Sequence, residues 1–223
     1  MRAVIATAFL IQVLIGSASA ATVGWGSDQL NSLAMANGTT MLNGTTVPAL
    51  TTRALLRIGY FTISDSAIAS NFVSGNTAAI TAAFQEFGTP NAVHVGDGYN
   101  TNGVWSATSV NVNPTFTGQR IHIWAYDTNT AGAATQWGIF TNTSAANWLF
   151  PSDTPLPGTA NVDLSQVPHD STGLIVGGFG GPPDPNFGNA PYKLAALVPE
   201  PSSVILSAFG LGVLAARRRR KRD

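Results

Sequence analysis

Residues 119–126 read Gln-Arg-Ile-His-Ile-Trp-Ala-Tyr and bring several chemically capable side chains together. As a β-strand, the stretch sends Ile121, Ile123 and Ala125 to one face and Arg120, His122, Trp124 and Tyr126 to the other. If open to solvent, the second row would make a glycan platform. Aromatic faces would stack on the C–H surfaces of a pyranose while the polar tips bond its hydroxyls, and Trp105, Trp137 and Trp148 would widen the surface. The competing reading covers both faces of a central strand and places the aromatics in a core, which is where most large aromatic surface goes.

Catalytic chemistry finds less support. His94, His122 and His169 are isolated in the sequence; Asp97 near His94 and Asp170 beside His169 are pairings that chance readily produces. There is no H-E-x-x-H, G-x-S-x-G or P-loop, and Gly177-Gly178-Phe179-Gly180-Gly181 lacks the Lys-Ser/Thr that a phosphate cradle requires. Glu86 is the one glutamate before residue 200, and no spacing among the aspartates selects two carboxylates for glycoside hydrolysis. The chain is expected not to be an enzyme, with a secreted hydrolase as the alternative. Asp97-Gly98-Tyr99-Asn100 and Asp127-Thr128-Asn129 place oxygen ligands in loops that calcium can use. Neither has a full ligand set, and such residues more often stabilise their own turn. No metal and no cofactor are expected. The absence of cysteine removes thiol catalysis, Cys-ligated zinc and iron–sulfur clusters.

The elements that would position these residues are mostly strands. The fold class expected is mainly β: an antiparallel sandwich or jelly-roll-like domain with two short inserted helices, followed by a single C-terminal transmembrane helix. Strands are predicted at 55–62, 104–112, 119–126, 135–141, 147–150, 174–179 and 192–198, each carrying β-branched or aromatic residues between Asn/Asp/Gly/Pro turns. Ser64 would cap one helix over 65–72, and Asn76 or Thr77 would start a second that Gly88 ends. Ile80, Phe84 and Phe87 recur at helical spacing and would face a sheet. Asn37-Gly38-Thr39-Thr40 returns as Asn43-Gly44-Thr45-Thr46, a local strand–turn echo that does not continue as a repeat.

Whole-chain neutrality hides unlike parts. Residues 22–198 hold four basic and nine acidic side chains, and 4 − 9 leaves −5. That balance argues against a nucleic-acid partner, which needs clustered Lys and Arg. Arg2, an apolar run over 3–15 and Ala18-Ser19-Ala20 form a signal-peptide pattern, with signal peptidase as the enzyme that would remove residues 1–20. Residues 21–197 are then a secreted β-rich domain, long enough for one core without disulfides.

The tail, 198–223, has three parts: Pro199-Glu200-Pro201, an uncharged run over 202–216, and the basic block 217–222. As a helix the run would reach about 22 Å, short of a full bilayer core unless the basic residues snorkel. Basic residues stay on the cytoplasmic side, which puts the β domain outside. This order of parts resembles the PEP-CTERM sorting signal of Gram-negative bacteria that make exopolysaccharide. The resemblance covers the tail alone. It implies exosortase as partner, processing at or near Pro199, Glu200 and Pro201, contact with membrane lipid before processing, and final placement at the cell surface or in the extracellular matrix of a biofilm. Exopolysaccharide would be a further partner for the platform of Arg120, His122, Trp124 and Tyr126, which makes a carbohydrate-binding module the alternative function.

Overall fold

The computed structural model describes residues 20–28, 30–45, 52–182 and 190–198. In chain order the strands and helices are β1 (Ala21–Gly26), β2 (Leu33–Ala34), β3 (Leu55–Phe61), α1 (Asp65–Val73), α2 (Thr77–Ala83), β4 (Phe84–Glu86) and β5 (Val93–His94). There follow β6 (Ser106–Asn111), β7 (His122–Tyr126), β8 (Gln136–Phe140), β9 (Thr159–Asp163), β10 (Leu174–Val176), β11 (Gly178–Phe179), β12 (Tyr192–Lys193) and β13 (Ala195–Ala196). Over the described residues the protein is mainly β with two α-helices.

Seven strands form the largest sheet, in the order β10-β8-β7-β3-β4, with β13 also on β8 and β5 also on β3. All its pairings are antiparallel. A three-stranded sheet, β6-β1-β9, packs against one of its faces. Val23, Trp25, Ala160 and Val162 from the small sheet share a core with Leu56, Ile58, Ile123, Ala125 and Phe140 from the large one. A third sheet runs β11-β12-β2. Most strand pairs are antiparallel, as an antiparallel sandwich requires, but two neighbouring pairs, β1 with β9 and β12 with β2, are parallel. Parallel neighbours need a long crossover, and 132 residues of chain separate the ends of β1 and the start of β9 in this fold.

The helices cover the other face of the large sheet. Ser64 caps α1 as expected, its hydroxyl accepting from the Ala67 N–H at 3.2 Å. Ile68, Phe72, Ile80 and Ala83 pack on Leu55, Phe61, Trp124, Tyr126, Trp137 and Ile139 in a second core. The second helix is shorter than its apolar spacing predicts. It stops at Ala83, and Phe84 opens β4 beside Phe61 of β3. Ile80 faces the sheet as expected, whereas Phe87 belongs to the core on the opposite side. The order is therefore small sheet, large sheet, helices, and β7 lies in the middle layer.

Residues 147–150, expected as a strand, instead form a 3-10 turn at Ala146–Trp148 and a single bridge from Leu149 to Arg120. The strands at 21–26 and 159–163 were not expected, and they make two-thirds of the small sheet. Among the described residues no helix is long and apolar enough to cross a membrane. Residues 1–19 of the predicted signal peptide 1–20, Pro199-Glu200-Pro201, the run 202–216 and the basic block lie outside the described residues.

Candidate functional site

The row Arg120, His122, Trp124 and Tyr126 is not a surface. Trp124 and Tyr126 are fully buried and His122 is 3 % exposed, so the expected glycan platform is corrected. The cause is the helical layer, which covers the face that strand alternation alone leaves undecided. Each member of the row has a structural partner. Arg120 Nη1 donates to the carbonyls of Asn142 at 2.7 Å and Ala145 at 3.2 Å. Trp124 packs among Phe61, Phe84, Tyr126 and Trp137. The Tyr126 hydroxyl accepts from Arg57 Nη1 at 3.2 Å, and burial holds its pKa above the ordinary phenolic value.

His122 places Nε2 2.9 Å from Asp65 Oδ1 and Nδ1 3.1 Å from the Arg120 carbonyl. Both ring nitrogens are therefore spent on protein oxygens, which leaves neither to act as a base. The His122 hydrogen bond is the main cause that holds the Asp65 carboxyl below its ordinary range, against the opposing effect of partial burial. Because the folded value is the lower one, the pair's contribution is full above the unfolded value of about 4 and is lost as pH falls through the folded value. Unfolding titrations should show the wild type's advantage over Asp65→Asn at pH 6 shrinking below about pH 4. A pH-independent difference would refute the linkage.

The other two histidine–aspartate pairs do not form through their rings. His94 donates its backbone N–H to Asp97 Oδ2 at 2.8 Å, while burial lowers the pKa of its ring and Nδ1 has no partner. His169 stacks on Phe179 at 3.5 Å and donates Nε2–H to the Tyr192 hydroxyl, which itself donates to the Val167 carbonyl. Asp170 instead accepts from the N–H and hydroxyl of Thr172. Both loops considered for calcium are internally bonded. Asp97 pairs with Arg53 and His94, and Asp127 takes the N–H and hydroxyl of Thr135.

An open site lies on the outer face of the small sheet. Register sets Gly24 of β1 opposite Thr108 of β6 and Asn161 of β9, and Gly26 opposite Ser106 and Asp163. Opposite residues share a face, so Val23 and Trp25 enter the core and the two glycines mark a strip with no side chain. A depression of about 330 Å³ follows it, walled by Ser106, Thr108, Asn161 and Asp163 and bounded by Tyr99, Trp105 and Gln166. A Cβ at Gly26 would meet the Trp105 carbonyl oxygen at 2.7 Å, so backbone crowding calls for glycine there, whereas one at Gly24 would displace only the end of the Asn161 side chain.

The rim is held in place by neighbouring structure. Tyr99 sits on a loop in which Gly96 and Gly98 take positive φ, and Arg53, 4 % exposed, ties that loop down through Asp97. Ser106 N–H donates to the Asp97 carbonyl at 2.8 Å, joining the loop to β6. Asp163 and Gln166 form a capping box at the 3-10 turn Leu164–Gln166. The trough escaped sequence reasoning because its walls come from three distant segments. The signal that could have found it is Gly24-Trp25-Gly26, a glycine alternation inside an apolar strand.

The chain carries a PEP-CTERM protein-sorting motif, matched at residues 197–221. That match implies an exosortase-sorted surface protein. No curated protein and no solved structure matches the chain.

Proposed function

We propose that this chain is a non-catalytic surface or extracellular-matrix protein, exported across the inner membrane of a Gram-negative bacterium and released from a transient C-terminal anchor by exosortase. Before processing, 202–216 would span the bilayer among lipid with the basic block in the cytoplasm. Signal peptidase would act at the other end of the chain.

The observation that carries this reading is the position of the motif relative to the fold. Strand β13 ends at Ala196, and the Leu197 N–H makes a last bond to the Thr135 carbonyl at 2.8 Å. The sorting motif begins at 197, so cutting at Pro199-Glu200-Pro201 would leave every described strand and both cores intact. Catalysis finds no support in the carboxylates. Asp28, Asp65, Glu86, Asp97, Asp127 and Asp170 each bond a different nearby partner.

Deleting residues 199–201, or the exosortase, should leave a heavier species held in the membrane fraction. Unchanged mass and location on immunoblots of fractionated cells would overturn the processing step.

A further inference from the structure

We propose that the trough over Gly24 and Gly26 binds a neutral saccharide, with Tyr99 as its stacking surface and Asn161, Gln166, Ser106 and Thr108 as its polar contacts. The site is separate from the buried row of β7 and does not depend on how the chain is sorted.

The wall chemistry selects the ligand class. The side chains of Ser106, Thr108 and Asn161 make no hydrogen bond to other described residues, nor does the Tyr99 hydroxyl. Gln166 Oε1 accepts from Trp148 Nε1 at 2.9 Å and Asn147 Nδ2 at 3.1 Å, so its carboxamide has only the NH₂ left to offer. The trough thus presents hydroxyls and carboxamides that both donate and accept, which is the complement of a ring bearing several hydroxyls. Among the described residues Asp163 is the one charged side chain in the lining, and no Lys or Arg is present there. A polyanion would meet a carboxylate with nothing to offset it, and a lipid chain would meet polar walls and bare backbone. Tyr99 is 48 % exposed at the rim, placed to cover the C–H face of a sugar ring.

Elsewhere on the surface, comparable side chains are spent on their own turns. Asp28 takes the Leu30 N–H, Asn37 takes those of Thr39 and Thr40, and Asn113 takes that of Thr115. In the trough such groups converge on one strip instead. Because the capping box and the Arg53–Asp97 tie set the rim beforehand, a ligand would have little to order on binding. A volume of about 330 Å³ is at the low end for small-ligand sites and suits one sugar unit of a longer chain.

The test is isothermal titration of the full chain in a detergent without sugar headgroups. Cellohexaose, maltohexaose, xylohexaose and mannohexaose serve as neutral probes and hexagalacturonate as the anionic one. At least one neutral probe should bind. Tyr99→Ala and Thr108→Arg, both at solvent-facing positions, should each weaken it about tenfold or more with the circular dichroism spectrum unchanged. If one variant fails to fold, the other still decides. Absence of heat with every neutral probe, preference for hexagalacturonate, or full affinity in the folded variants would each overturn the assignment.

Discussion

Replacing Trp124 by Ala is expected to lower the free energy of unfolding by about 3–5 kcal/mol, and replacing its neighbour Ile123 by Ala by about 2–5 kcal/mol. Both side chains are fully buried, yet they point in opposite directions from one strand. Ile123 belongs to the core shared with the small sheet, and Trp124 to the core beneath α1 and α2. In a two-layer sandwich one of two adjacent residues would face solvent and its loss would cost little. Large costs at both positions are therefore specific to a middle strand. Domain stabilities are about 5–15 kcal/mol, so either change takes a large share. Denaturant unfolding with each variant makes the check, and a cost below about 1 kcal/mol at Trp124 would argue against the helical layer.

The second large effect is expected at Arg57 and Glu86. The Glu86 Oε2 atom accepts from Arg57 Nε at 2.8 Å and Nη2 at 2.6 Å, while Oε1 accepts from the Asn91 N–H at 2.8 Å. The guanidinium also lies 4.7 Å from the Phe84 ring centroid and 5.6 Å from that of Trp124. Side-chain exposures of 16 % and 9 % place the pair within the aromatic layer. Removing one partner strands the other charge away from water, so Glu86→Leu should cost about 3–5 kcal/mol, and Arg57→Met should cost a similar amount. The double variant Arg57→Met/Glu86→Leu should recover most of that loss, because two apolar residues leave no charge unpaired. A double-mutant cycle by denaturant unfolding measures the coupling. Additive losses would mean that the two groups do not act as a pair.

The way β7 could be read shows how far sequence goes. Alternation sorts its side chains into two rows correctly, since strand geometry is local. It says nothing of what lies beyond either row. An Arg-His-Trp-Tyr face has the same pattern whether it meets a sugar or a helix. The helix that decides the matter is 50 to 60 positions earlier in the chain, where its apolar residues were visible but their target was not. The trough lies further still from sequence. Trp25 Nε1 bonds Ser109 Oγ across 84 positions, and β9 joins β1 from the far end of the domain.

The sorting motif, the mainly β character and the Ser64 cap could all be read along the chain. Each depends on residues close along the chain: a Pro-Glu-Pro ahead of an apolar run and a basic block, a two-residue period, a hydroxyl three residues before the N–H it accepts from. Packing between distant segments set which surfaces are open. It buried Trp124 and Tyr126 of β7 between sheet and helices and aligned Gly24 and Gly26 with the polar walls of β6 and β9. Exposure depends on which distant segment packs on a face, and that is settled by the summed burial of both cores and the register of paired strands, not by any residue's neighbours in the chain.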